Sequence, residues 1–565
     1  MVAFTSLLYS LVLASAAVAT PVPAENFRGG KGLAFPPVDP RGLLCHLPII
    51  KRILCPRQTP SGPSVKTPLG TALGSQASNG ASKFSVKYGS AQRWQDPSVA
   101  TTWALPNNSS DVTALPLACP QQNVDPSAYS EDCLSMILYV PSSVTANSNA
   151  PTLMWIHGGS FIMGSATDPG LDGSNLAKAT GSIVAVVQYR LGGLGWNSPD
   201  GRTNFALKDV MTAMQFLQKV LPSFGGSASK ITIAGQSSGA NMIRALLAIP
   251  SASSLFQSAI LQSDPMDYGF LSTSAQKNLQ NYFNSQLNCS ASDSACINSL
   301  SLETILDATN ETFLNGFTVD AAATQAEPMR PVHDGSLITS TLDSTSPFPK
   351  VSKPVLISTV LNEAGLTIYG NFDSPMDASL YDEVVGGTFG DPRTEIILST
   401  QQYTIPQLAD GKAADARVQL EALGTDSVWK CATWTFARNW AGNGGNAFVG
   451  LYVVGATYPG NEQVPFCTQA GSVCHQDDIE IVFGTVDSPN SAQSSLISEM
   501  QARYSAFLHT GNPNPSGSKL AQWGAATSSN IPALLLGGSG QADIGTCDPS
   551  YWGEKVQYDY QVLDI

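Results

Sequence analysis

The sequence predicts an α/β protein: one large, mostly parallel central sheet flanked by helices, with long helical excursions. Three observations carry that expectation. From about residue 65 onward, apolar runs of strand length alternate with helical patterns, as a parallel sheet covered on both faces requires. One of these runs ends at a glycine-framed serine and passes at once into a helical stretch. The composition, 43% hydrophobic and only 13% charged over 565 residues, can fill a large core and excludes disorder of the whole. One catalytic unit with a long sheet, or two ordinary domains, fits that length.

Residues 1–19 read as a secretory signal peptide, with an apolar centre, an Ala17-Val18-Ala19 exit and no Lys or Arg at the start. A membrane anchor is the rival reading, but the run is short and proline follows at once. Residues 20–64 form a proline-rich extension or propeptide, with a dibasic Lys51-Arg52 as a cutting point; an arm stapled by Cys45–Cys55 is the alternative. Residues 65–565 are the expected catalytic domain. Within it Leu153–Ile156, Ile183–Val187, Ile231–Ile233, Ala259–Leu261, Val355–Ile357 and Gly450–Val454 read as strands. Val210, Met214, Leu217 and Leu221 recur at helical spacing and form a core stripe. Residues 264–354 read as helical excursions over the sheet. No later segment is long and apolar enough to span a bilayer, so no integral membrane association is expected.

A net charge of −14 argues against a nucleic-acid partner, whose phosphates need basic stripes. Ten cysteines behind a signal segment predict an oxidised, extracellular protein. Sequence alone leaves the connectivity open. Closeness along the chain favours Cys119–Cys133, Cys289–Cys296, Cys467–Cys474 and Cys45–Cys55, which leaves Cys431 with Cys547. Metal binding is the rival use, and no CxxC pair supports it. Sequons begin at Asn107, Asn108, Asn288 and Asn310, the first two too close for both to carry a glycan.

The chemistry starts at Ser237, in Gly235-Gln236-Ser237-Ser238-Gly239. A bare match says little in a chain with 49 glycines. Here Ile231–Ala234 precedes it and the helical stretch Ala240–Leu247 follows, giving strand, tight turn and helix with serine at the apex: the nucleophile elbow of α/β-hydrolases. A serine hydroxyl needs a base, and the base needs a carboxylate to fix its tautomer. Of five histidines, His46 lies in the extension, His157 precedes two glycines, His333 follows Pro331-Val332 in a turn-like stretch and His509 sits in a helical run. His475, in a loop that Cys467–Cys474 would stiffen, remains. Chain order places the acid between serine and histidine, just past a strand; Glu363 satisfies this better than Asp334 or Asp373. Oxyanion donors are expected from the backbone amides of Gly159, Ser160 and Ser238.

Taken together, Ser130–Leu134, His157–Phe161, Tyr189–Gly195, Phe224–Gly226, Ile231–Gly239, Ala259–Ser263, Asn362–Gly365 and Cys474-His475 make the chain resemble the type-B carboxylesterase/lipase family, which includes cholinesterases and fungal lipases. The likeness spans roughly residues 65–550. It implies one α/β-hydrolase domain and carboxylic-ester hydrolysis with neither cofactor nor metal, through a triad of Ser237, Glu363 and His475 acting on a small-molecule ester. Three departures stand out: Gln236 replaces a common Glu, Ser238 a common Ala and Ser160 the usual third loop glycine. In lipases of the family the loop homologous to Cys119–Cys133 carries a long lid, whereas here the two cysteines enclose thirteen residues. A soluble-ester carboxylesterase is therefore expected. The alternatives are a lipase acting on longer acylglycerols, a non-catalytic cholinesterase-like binding protein, and a peptidase using the same triad.

Overall fold

Apolar runs become strands here because both faces of each are buried. The computed structural model describes residues 62–565 apart from 78, 291, 325–326, 409–412 and 564; the signal segment, Cys45–Cys55, His46 and nearly all of the 20–64 extension lie outside the described residues. Ten strands form one sheet: β1 (Ser75–Gln76), β2 (Ser82–Lys87), β3 (Ser135–Val140), β4 (Ala150–Ile156), β5 (Ile183–Val187), β6 (Gly226–Gln236), β7 (Ser258–Gln262), β8 (Val355–Val360), β9 (Ala447–Tyr452) and β10 (Leu534–Leu536). Their spatial order is β10-β9-β8-β7-β6-β4-β5-β3-β2-β1. From β10 to β5 all pairs are parallel, and β3, β2 and β1 close the other edge antiparallel.

Successive side chains point to opposite faces of a strand, and two cores record this. Met154, Ile156, Ile233, Leu261 and Ile357 pack on one face with the helix α1 (Phe205–Val220). Leu153, Trp155, Ala234, Ile260 and Leu356 pack on the other with Leu496, Met500 and Phe507. The stripe Val210, Met214, Leu217 and Leu221 is buried in the first core.

The topology itself marks a crevice. After β4 the chain lays β5 on one side, then returns to lay β6 on the other side of β4. In open parallel sheets ligands bind beyond the carboxyl ends of strands at such a reversal. His157-Gly158-Gly159 leaves the end of β4, and Ser237 leaves the end of β6 into helix α2 (Ser238–Leu247).

The excursions between β7 and β8 are helical as expected, at Thr273–Leu287, Ser294–Ser299 and α3 (Leu302–Val319). Some boundaries differ. The strand expected at Gly450–Val454 is Ala447–Tyr452, because its register against β8 runs from Val355↔Ala447 to Val360↔Tyr452. His333, expected in a turn, belongs with Val332 to a short strand beside Leu271-Ser272. Four disulfides join Cys119–Cys133, Cys289–Cys296, Cys431–Cys547 and Cys467–Cys474. Among the described residues no helix is long and apolar enough to cross a membrane.

Candidate active site

Ser237 sits at φ 57°, ψ −129°, a conformation side chains rarely adopt. Its surroundings force it there. Its N–H donates to the Gln262 carbonyl of β7 at 2.9 Å, and the turn must fold α2 back against β4 and β6. A Cβ on Gly235 would stand 2.6 Å from the Ile156 carbonyl oxygen, and one on Gly239 would overlap the same oxygen and reach 2.6 Å from that of His157. Both flanking glycines are steric necessities. Ser238 is the first residue of α2, so its N–H is among the amides a helix leaves without an intrahelical acceptor, at the positive end of the helix dipole.

The loop after β4 faces this turn. Gly159 takes φ 113°, Ser160 φ 50° and Phe161 φ 64°, and the Gly159 carbonyl accepts from the amides of Ile162 and Met163. Gln121, beside Cys119, braces the loop: its amide nitrogen donates to the Cys119 and Gly164 carbonyls, and its oxygen accepts from the Gly164 N–H. His157 is a wall. It stacks on Tyr189 at 4.4 Å, its carbonyl accepts from the Tyr189 hydroxyl, and burial pushes its pKa down to about 4, so it is neutral at ordinary pH.

Glu363 and His475 come from two loops tied to each other. The Asn362 N–H donates to the Val473 carbonyl at 2.9 Å, and the Val473 N–H donates to Asn362 Oδ1. The Cys467–Cys474 disulfide closes the turn before His475, and the Asn461 side chain donates to the His475 carbonyl. Glu363, 1% exposed, accepts from the Val360 N–H at one oxygen and lies 2.6 Å from His475 Nδ1 at the other. Burial disfavours the imidazolium, but the hydrogen bond and charge of Glu363, with Asp478 and Glu327 behind, outweigh it and raise the His475 pKa above its ordinary value.

Ser237, Glu363 and His475 line one cavity of about 470 Å³, together with Gly159 and Ser160. The rival acids lie elsewhere: Asp334 accepts from the amides of Ser336, Leu337 and Ile338 in its own turn, and Asp373 from the neighbouring Ser374 hydroxyl. His509 ends an exposed helix turn.

Several contacts of His475 and its neighbours go beyond the sequence reading, which marks Gln236 only as a departure from the family pattern. The Gln236 amide nitrogen is 3.0 Å from His475 Nε2, a donor meeting the lone pair left by an Nδ1–H that points to Glu363. Trp429 flanks the imidazole at 5.5 Å. Asp478, fully buried and raised to about 6 by that burial, accepts from the Gln262 side chain at 2.5 Å. Only Gln236 carried a signal, through its place beside the serine; Trp429 comes from the helical turn Thr425–Lys430, and Asp478, three residues after His475, matters through its bond to distant Gln262.

A ten-stranded, mostly parallel sheet with a serine elbow after its central strand and a carboxylate–histidine pair opposite defines the α/β-hydrolase fold. Residues 61–548 match the carboxylesterase family, and the chain belongs to it: it is a carboxylic ester hydrolase. The chain is 26% identical over 463 residues to the cAMP-regulated D2 protein of Dictyostelium discoideum, covering 79% of this chain and 82% of that protein. It is 36% identical over 165 residues to the para-nitrobenzyl esterase of Bacillus subtilis strain 168, covering 27% of this chain and 33% of that enzyme. A solved PNB esterase structure superposes with a TM-score of 0.66 at 23% identity over 84% of this chain and 95% of that one.

Proposed function

We propose that the chain is a secreted serine carboxylesterase acting on soluble esters through an acyl-enzyme. Ser237 Oγ attacks the ester carbonyl while His475 Nε2 takes its proton. Glu363 holds the Nδ1–H tautomer and stabilises the imidazolium, and His475 then protonates the leaving alcohol. The amides of Gly159, Ser160 and Ser238 receive the oxyanion. Water, activated by the same imidazole, releases the acid. The Gln236 amide must leave the Nε2 lone pair as Ser237 delivers its proton.

One observation carries this reading: the 2.6 Å His475–Glu363 pair stands in the same cavity as a serine held at the head of a helix. Preference for soluble esters over long acylglycerols rests on the Cys119–Cys133 segment. Its residues brace the glycine loop through Gln121, and none of the described ones lines the cavity. Export is supported by the signal-like residues 1–19 and by four disulfides, with exposed Asn108 and Asn288 as glycan sites; Asn107 holds the Leu115 and Leu117 backbone with its amide, and Asn310 is half-buried in α3.

The test is direct. Purified protein hydrolyses p-nitrophenyl butyrate and is labelled by an organophosphate at Ser237; Ser237→Ala loses both, with turnover down at least about 10⁴-fold. Turnover retained in that variant refutes the assignment. N-terminal sequencing of protein recovered from culture medium checks export, the cut near Ala19 and the fate of residues 20–64.

A further inference from the structure

The cavity holds a carboxyl that the ester chemistry does not use. Glu327 is 3% exposed, lines the cavity with Ser237 and His475, and its Oε2 has no hydrogen-bond partner. The other acids of the cavity are engaged: Glu363 with His475 and the Val360 N–H, Asp559 with Arg393 at 2.8 Å, and Asp267 with the Asp559 N–H.

The nearby cation does not satisfy Glu327 either. Arg330 is fully buried, and a guanidinium has five N–H donors. All five go to backbone carbonyls, those of Gly269, Ala323, Glu327, Tyr268 and Ala322. Arg330 therefore fixes the main chain around Glu327 and leaves nothing for its carboxyl. Three residues before Glu327 in the chain, the Thr324 hydroxyl is also buried, partnerless and cavity-lining, on a backbone at φ 58°. A β-branched residue in that region is strained, and such strain persists where the surroundings over-determine it. Phe317, Ala321 and Leu563 add apolar wall to the same cavity. A buried acceptor left unmatched destabilises the site. A ligand that supplies the missing donor relieves this.

We infer that Glu327, with Thr324, is the specificity group of this site and selects esters whose apolar part carries a hydrogen-bond donor, such as a phenolic hydroxyl, over the same esters without it. This rests on the serine-esterase reading and adds the substrate class. Sites built around a polar group discriminate against analogues lacking its partner far more sharply than apolar pockets discriminate by size.

The experiment uses two matched pairs of esters and the protein recovered from culture medium. Methyl 3-(4-hydroxyphenyl)propanoate against methyl 3-phenylpropanoate places the hydroxyl on the acyl side. 4-Hydroxyphenethyl acetate against phenethyl acetate places it on the alcohol side. Active sites are counted by organophosphate labelling in wild type, Glu327→Gln and Glu327→Leu, so that only folded protein enters kcat/KM. In wild type the hydroxylated ester is favoured by about tenfold or more on one side, which identifies the part of the substrate entering this arm; tenfold is ~1.4 kcal/mol. The ratio falls to about one in Glu327→Leu and to an intermediate value in Glu327→Gln.

A pH series sharpens it. Burial pushes the Glu327 carboxyl up to about 7, with Arg330, His475 and Arg244 favouring its charged form and Asp264 opposing it. Because the carboxylate is the stronger acceptor, the wild-type ratio rises through that pH, whereas the Glu327→Gln ratio stays flat; the titration of His475 cancels between paired esters. A ratio near one on both sides in wild type, or a preference that survives in both variants, overturns the inference. No turnover on any of the four esters, with Ser237 unlabelled, would instead sink the esterase reading and this one with it.

Discussion

The two halves of the site are held by different physics. On the side of the proposed nucleophile, Ser237, Ser238 and the glycine loop are placed by backbone packing among β4, β6, β7 and α2, where a single Cβ at Gly235 or Gly239 would strike a carbonyl oxygen. On the side of the proposed base, Glu363 and His475 stand on loops outside the sheet, held by side-chain hydrogen bonds, one disulfide, and two bonds between Asn362 and Val473, one backbone to backbone and one from the Val473 N–H to Asn362 Oδ1. The contrast implies that damage to the first half is damage to folding. Damage to the second is damage to geometry.

The largest effect that tests this contrast is expected at Glu363. Glu363→Gln keeps the shape but removes the charge proposed to orient and stabilise the imidazolium, so the proposal predicts a fall in kcat of about 10³–10⁴-fold with little change in Tm. A fall smaller than tenfold would mean that Glu363 is not the orienting acid. Next, replacing Cys467 and Cys474 together by Ser releases the turn before His475. Activity then drops about 10–100-fold, the scale of an ångström-sized misplacement, while stability falls by about 2–3 kcal/mol, the low end for a disulfide because its loop is short. A loss of Tm with specific activity preserved would place this disulfide in the folding half.

Gly239→Ala should behave oppositely. Destabilisation of about 1–3 kcal/mol from overpacking is expected by chemical denaturation, with specific activity per labelled Ser237 much better preserved than folded yield. An unchanged midpoint would show that the elbow has slack. The smallest effect concerns Gln236. A carboxylate there favours the imidazolium, and the proposed base would work only when His475 is neutral. Gln236→Glu therefore moves the acid limb of the kcat/KM profile to higher pH, by about one unit. A limb that stays put would separate Gln236 from His475 in the working enzyme.

Legibility in the sequence follows the same division. Ser237 could be found from a dozen contiguous residues, because strand, turn and helix signals and both steric glycines are local. The six apolar runs were legible as strands because burial on both faces leaves no polar alternation to mistake for a helix, although the Ala447–Tyr452 boundary needed the register with β8. His475 emerged only by elimination among five histidines, and Glu363 by its place after a strand. Asp478 and Glu327 had no signal, since each matters only through neighbours far away in the chain.

What the sequence determined by itself is the layered sheet, the elbow and the order in which serine, acid and histidine occur, all of which depend on neighbouring residues and on hydrophobic periodicity. Tertiary structure alone decided which amide sits on the His475 lone pair, how the loops of Asn362 and Val473 join, and that Arg330 spends all five donors on carbonyls beside an unmatched Glu327. The reason is that a hydrogen bond is fixed by distance and direction to tenths of an ångström, whereas burial, which the sequence encodes in its pattern of apolar residues, depends only on which side of the chain faces water.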